Sequence, residues 1–126
     1  MLWTLDLTNS GFNPHPFKSQ DYVDTSHANI GEENLPKAFS EYAAEIAHIH
    51  VAKNDRGVPG RGHIDFSAIF RASKSSGYHG WLTIEAFGRT LPDLVEPTRV
   101  WRDFFKHPDE VVTEGYRFIR ETWNAA

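Results

Sequence analysis

From Asp21 onward, short apolar runs alternate with stretches whose apolar residues recur every three or four positions, which is how successive βα units read. YVDTSHANI is the first run. ENLPKAFSEYAAEI then places Leu35, Phe39, Tyr42, Ala43 and Ile46 on one helical face, with Pro36 suited to a first turn. A second strand is expected over AHIHVA, followed by a Gly-rich loop. FSAIFRASKSSG next puts Phe66, Ile69, Phe70 and Ser73 on one helical face and closes at Gly77. WLTIEAF, Trp81 to Phe87, reads as the third strand. LPDLVEPTRVWRDFFKHPDEVVTEGYRFIRETW reads as two helices broken near His107–Pro108, with Asp109 and Glu110 in the first turn of the second. Residues 1–20 are expected to be an irregular N-terminal segment, a loop over NSGFNPHPFKSQ preceded by a short strand in LWTLDL.

Alternation along a strand sorts side chains by parity. In the third strand Leu82, Ile84 and Ala86 share one face and Trp81, Thr83 and Glu85 the other. In the second, Ile49 and Val51 oppose His48 and His50; in the first, Asp24 opposes Val23. Each strand thus delivers one metal-capable side chain, Asp24, His50 or Glu85, at or near its C-terminal end, where parallel α/β folds build their sites. One such residue alone would be read as a hydrogen-bonded structural group; three in successive units read as a constellation. Two carboxylates and an imidazole make an oxygen-rich donor set that suits Mn²⁺, Mg²⁺ or Co²⁺ better than a thiolate-loving ion. The polar loop after the second strand, KNDRGVPGRG, is expected to be the rim of a metal and substrate site, its glycines letting backbone fold close to a ligand.

Composition narrows the function classes. The 126 residues make about one domain. With no cysteine, disulfides and thiolate metal sites are excluded. No apolar run approaches a membrane span and no signal-peptide pattern opens the chain, so a soluble cytoplasmic protein is expected. The net charge is −4 and the basic residues are scattered, which argues against binding to a nucleic-acid backbone.

VDTSHANI, HIHVAKNDRGVPGRGHIDF and GWLTIEAFGR, in this order and spacing, resemble the C-terminal part of the sugar phosphate isomerase/epimerase family with a xylose isomerase-like barrel, and most closely its ketose 3-epimerases of the D-tagatose and D-psicose type. The resemblance runs from Tyr22 to the C-terminus. It implies an α/β fold in which residues 21–126 are the C-terminal part of a (β/α)₈ TIM barrel: about three strands with their helices, not a closed barrel alone, since a closed one takes eight strands and about 250 residues. It further implies a divalent metal, Mn²⁺ ahead of Mg²⁺ or Co²⁺, on Asp24, His50 and Glu85, and substrate hydroxyls bound by His27 and Arg56. Glu85 would also be catalytic, one of two carboxylates exchanging the C3 proton of a ketose. The family's first Glu ligand, the second of that pair, has no match; its strand would lie upstream of Met1. The chain is therefore expected to be an inactive C-terminal fragment whose partners are a ketose and either a second copy of itself or a complementing N-terminal half. Lys53 replaces a usual Glu and His79 a usual Asp, both expected to be exposed.

Other roles are assigned by context. His48 is expected to pack structurally, His63 either to orient the loop or to approach substrate, and His15, His79 and His107 to lie on the surface. Trp81 and Trp101 are expected in the core. Competing functions are a non-catalytic assembly subunit, whose open sheet edges pair with another chain, and an endonuclease IV-type metal nuclease, which the acidic balance opposes. Hydroxypyruvate isomerase is a related alternative, but the NDRGVPGRGHIDF loop is more similar to that of the ketose epimerases.

Overall fold

The computed structural model describes residues 21–126; the expected strand in LWTLDL and His15 lie outside the described residues. Strands β1 (Asp21–Asp24), β2 (Ile46–Val51) and β3 (Trp81–Ile84) form a parallel sheet in the order β1-β2-β3. Helices α1 (Thr25–Gly31) and α2 (Leu35–Glu41) separate β1 from β2, α3 (Phe66–Ser75) separates β2 from β3, and α4 (Pro92–Thr98), α5 (Pro108–Glu110) and α6 (Tyr116–Ala125) follow. This is the expected partial α/β arrangement, an open three-stranded parallel sheet.

The parity reading holds. Val23, Ile49 and Val51 are buried against Phe39 of α2, Phe66, Ile69 and Phe70 of α3 and Ile119 of α6. Each large apolar side chain so buried contributes roughly 1.5–3 kcal/mol relative to exposure, and a slip of one residue would turn these groups away from the helices. The opposite face carries Tyr22, Asp24, His48, His50 and Thr83 at successive rungs, Tyr22 level with His48 and Trp81, and Asp24 level with His50 and Thr83. Trp81 belongs to this face and is 77% exposed, and Trp101, in the irregular segment after α4, is 60% exposed; neither is in the core.

The helix from Phe66 matches its expected face, with Phe66, Ile69, Phe70 and Ser73 all buried. Asp65 caps its start by accepting from the Ala68 N–H at 3.0 Å. At its end Gly77 (φ +85°) donates to the Lys74 carbonyl and Tyr78 to that of Ser73, the paired bonds of a Schellman closure. The predicted helix from Leu35 stops sooner than its periodicity implied: α2 ends at Glu41, and Ile46 opens β2 paired with Asp21. Ala43 and Ala44 favour helix, but a continued helix would forfeit the rung that Ile46 makes with β1. Strand β3 is shorter than Trp81 to Phe87. After the Glu85 N–H donates to the Val51 carbonyl at 3.1 Å, Phe87 donates to the carbonyl of Arg56 at 2.9 Å, so the chain leaves the sheet to follow the loop after β2.

The break near His107–Pro108 is real. The His107 ring accepts from the Asp109 N–H, and Glu110 accepts from the N–H groups of His107 and Lys106, a capping box at the start of α5. A π-helical turn, Val111–Gly115, joins α5 to α6. No helix among the described residues is long and apolar enough to cross a membrane.

Tyr78 ties the end of α3 to β3 by donating its buried hydroxyl to the Trp81 carbonyl at 2.7 Å. Burial pushes that hydroxyl from 10.0 up to about 12. Between those values the unfolded chain ionises while the folded one keeps its proton, so stability falls as pH rises from 10.0 to about 12. Tyr78→Phe is expected to cost about 1 kcal/mol at neutral pH and to flatten the alkaline loss, as read by urea unfolding across that window; an unchanged alkaline slope would show that another group governs it.

Candidate active site

The rung that levels Asp24 with His50 brings together side chains 26 residues apart in the chain, and Glu85 completes the group from just beyond the last residue of β3. Donor atoms of Asp24, His50 and Glu85 all lie within 4.8 Å of one another. His50 Nδ1 and Glu85 Oε2 are 2.8 Å apart. Asp24 ends β1 and caps α1: its Oδ1 accepts from the His27 N–H at 2.9 Å. Thr25 beside it is fully buried and bonds both backbone groups of Ala52, donating to the carbonyl at 2.7 Å and accepting from the N–H at 2.8 Å. One side chain thereby continues the ladder past the last β1–β2 rung and pins Asp24 in place.

The other Asp24 oxygen, Oδ2, is buried, and with the carboxyl ionised no donor among the described residues faces it; only a proton shared with the Glu85 carboxylate would partner it. An orphaned carboxylate oxygen is costly in a protein interior. Burial, and then the charge of Glu85, raise the Asp24 carboxyl above its ordinary range. Burial alone would raise Glu85 too, but the bond with His50, and next Asp24 and Arg56, more than offset it and hold it below its ordinary range. Two carboxyl groups and an imidazole crowded around one unpartnered oxygen fit a divalent cation, which would relieve both the desolvation of Asp24 and its repulsion from Glu85.

Arg56 and His27 meet at the rim. The Arg56 guanidinium lies 2.6 Å from His27 Nε2 and 5.2 Å from the centre of the Phe87 ring, while His27 Nδ1 lies 3.5 Å from Asp24 Oδ1. Arg56 adopts a left-handed conformation, φ +64°, uncommon for a residue with a side chain. The loop holds it there: Arg56 N–H donates to Lys53 O and Gly57 N–H to Asp55 Oδ1. All five residues expected at the site therefore cluster. Two of the loop glycines make close contacts within this chain. A Cβ on Gly60 (φ +93°) would fall 2.6 Å from the Phe118 ring, and one on Gly57 would fall 2.9 Å from Phe104 Cβ, so these two glycines let the loop press against Phe118 and Phe104. Arg61 adds an ion pair to Glu110 and Glu114, fastening the loop to the C-terminal helices.

His48 packs beside His50 as expected and contacts Thr83 Oγ1 at 2.5 Å. His63, His79 and His107 are exposed. Lys53 is not: only 14% of its side chain is exposed, because it pairs with Asp55 and lies over the Phe104 ring. Tyr22 and Phe87 were not expected near the site. Tyr22 stacks on His50 with ring centres 4.6 Å apart. The signal for both was parity, since each stands two residues from a candidate ligand, Asp24 or Glu85.

Residues 22–122 match the profile of the xylose isomerase-like TIM barrel family. The chain belongs to that family. A probable ketose 3-epimerase from Synechocystis sp. is 33% identical over 101 residues, covering 80% of this chain and 35% of the relative. An L-ribulose 3-epimerase from Mesorhizobium japonicum is 36% identical over 100 residues, covering 78% and 34%. The structure of an L-ribulose 3-epimerase superposes with a TM-score of 0.78 at 30% identity, covering 82% of this chain and 36% of that one. A D-allulose 3-epimerase from Methylomonas sp., solved in complex with D-allulose, gives 0.75 at 28% identity over 82% and 36%. The chain thus spans about a third of the length of the relatives it matches. The barrel accounts for the open sheet: three consecutive strands supply only part of an eight-stranded cylinder.

Mn²⁺ at millimolar concentration is expected to raise the thermal midpoint by mass action on the folded state. Asp24→Asn and His50→Ala should each abolish that rise. Because Asp24 is raised and a protonated carboxyl cannot ligate, the Mn²⁺-induced rise should shrink as pH falls through that raised value. A midpoint indifferent to Mn²⁺ in the wild type would count against a working site.

Proposed function

We propose that this chain supplies the metal-holding side, and one of two proton-transferring groups, of a ketose 3-epimerase active site. The observation that carries the reading is the convergence of Asp24, His50 and Glu85 around the unpartnered Asp24 Oδ2; the likeness to ketose 3-epimerases supports it. Asp24, His50 and Glu85 would hold a divalent ion, Mn²⁺ ahead of Mg²⁺ or Co²⁺, and the chemistry it would supply is polarisation of a ketose carbonyl, which would make the neighbouring C3 proton more acidic. Glu85, held ionised by His50, is in the base form that removes that proton from its own side of the sugar, and in the reverse direction returns it. Arg56 and His27 orient substrate hydroxyls: the guanidinium is anchored over Phe87, and the imidazole is steadied between Arg56 and Asp24.

Inverting a stereocentre by proton transfer needs a group on each face. Of the two cluster carboxylates, Asp24 caps α1 and is raised by burial and the charge of Glu85, whereas Glu85, despite its burial, is held low by His50, so the role of proton-transferring carboxylate is assigned to Glu85. In this reading the second carboxylate comes with an N-terminal half that completes the barrel. Chain with Mn²⁺ alone is expected to show no detectable C3 epimerisation of D-fructose, D-tagatose or D-psicose. Mixing with a separately expressed N-terminal half of a related epimerase should restore turnover, and Glu85→Gln should then lower it by about 10²–10⁴-fold. Turnover by the chain alone, lost in Glu85→Gln, would place the second group within this chain; restored turnover indifferent to Glu85→Gln would overturn the role of Glu85.

A second reading, an assembly subunit, is favoured by the two unpaired edges of the described sheet and by Tyr22 and Trp81 exposed on its polar face. Sedimentation velocity is expected to show a dimer or larger species; a monodisperse monomer would contradict this.

A further inference from the structure

We propose that Tyr22, and His48 behind it, are positioning residues that hold the His50 imidazole in the one orientation from which it can share an ion with Asp24 and Glu85. The inference rests on the metal-site reading above and assigns a role to residues outside the candidate ligand set. Tyr22 is two positions before Asp24 and shares its face of β1. Its ring lies nearly parallel to that of His50, with centres 4.6 Å apart and planes at 25°. The His48 ring meets His50 edge-on, with centres 5.0 Å apart and planes at 81°. His48 is itself tethered, Nε2 to Thr83 Oγ1 at 2.5 Å, and Thr83 is level with His50 on the neighbouring strand. A flat ring on one side, a perpendicular ring beside it and the Glu85 carboxylate at Nδ1 leave the imidazole no free rotation about its side-chain bonds.

An imidazole nitrogen offers its lone pair in the ring plane, so the plane's direction decides whether the pair points at the other donors. A ring already held in that plane loses little freedom when an ion arrives, whereas a loose ring must first be ordered. Tyr22 is 44% exposed, so it is not a core residue kept for burial alone. Its ring, not its hydroxyl, makes the contact with His50, so phenylalanine should replace it and leucine should not.

The test compares the full chain with its Tyr22→Phe, Tyr22→Leu and Thr83→Val variants. Co²⁺ titrations read affinity together with the visible d–d absorption of the bound ion, and proton NMR of the metal-free protein reads the His50 Nδ1–H bonded to Glu85. Tyr22→Phe is expected to keep wild-type affinity, spectrum and a slowly exchanging Nδ1–H. Tyr22→Leu should weaken Co²⁺ about tenfold, alter the d–d band and lose the protected proton, while its metal-free melting stays near wild type; Thr83→Val should act in the same direction. Tyr22→Leu matching the wild type in affinity, spectrum and proton would overturn the proposal, as would Tyr22→Phe failing as badly as Tyr22→Leu. If the wild type binds no Co²⁺ or Mn²⁺, the metal reading fails, and the NMR comparison still decides whether Tyr22 holds the His50 ring. If Tyr22→Leu does not fold, Thr83→Val and Tyr22→Phe decide alone: Thr83→Val must lose affinity and protected proton where Tyr22→Phe keeps both, and any other pattern overturns the proposal.

Discussion

The β1–β2–β3 register is the constraint on which the rest of the molecule depends. A parallel sheet whose strands alternate strictly must commit each residue to one face. Here one face is committed by Ile49, Val51 and Val23, which have no tolerable place except against the helices. The other face then follows without further choice: Asp24, His50 and Thr83 fall on one level, with Glu85 just past it. The hydrophobic energy of the outer face thereby bears the electrostatic cost of the inner one, where a buried carboxylate oxygen lacks a partner. Candidate ligands on flexible loops could relax away from one another; these cannot without unpairing the sheet.

Past the strand ends, side chains take over the work of the ladder. Thr25 bonds both backbone groups of Ala52, and Asp24 caps the helix that Thr25 begins. The turn from strand to helix is thus tied to the neighbouring strand at the point where the cluster forms. On the other side of β2, the loop reaching to Asp65 is pressed against Phe104 and Phe118 at its glycines and salt-bridged through Arg61 to the C-terminal helices. That support allows Arg56 to persist in a left-handed backbone conformation, and from there its guanidinium extends over Phe87 toward His27. The rim over the cluster is consequently supported by contacts that lie well away from it.

Much of this was legible in the chain. Period-two alternation in HIHVA and WLTIEA and period-3.6 spacing in FSAIFRAS are local properties, and burial follows from them directly. So does the placing of Asp24, His50 and Glu85 on one face, because parity within a strand needs no knowledge of its neighbours. The Schellman closure at Gly77 and the break before Pro108 were readable for the same reason: each rests on the conformational limits of one or two residues.

What the sequence could not decide were matters of competition and distance. Whether Ala43 and Ala44 extend a helix or release Ile46 into a strand depends on a rung with Asp21, which local propensity does not register. Trp81 looked like core because a large apolar ring usually is, yet its parity places it on the polar face of an open sheet. That Gly57 and Gly60 lie against Phe104 and Phe118, more than 40 residues downstream, is not readable from the loop itself. Alternation along each strand determined which side chains share a face. Only the register between strands decided that Tyr22 would lie on His50 and that a carboxylate oxygen of Asp24 would be left without a partner, because those contacts span residues that meet only when the sheet is assembled.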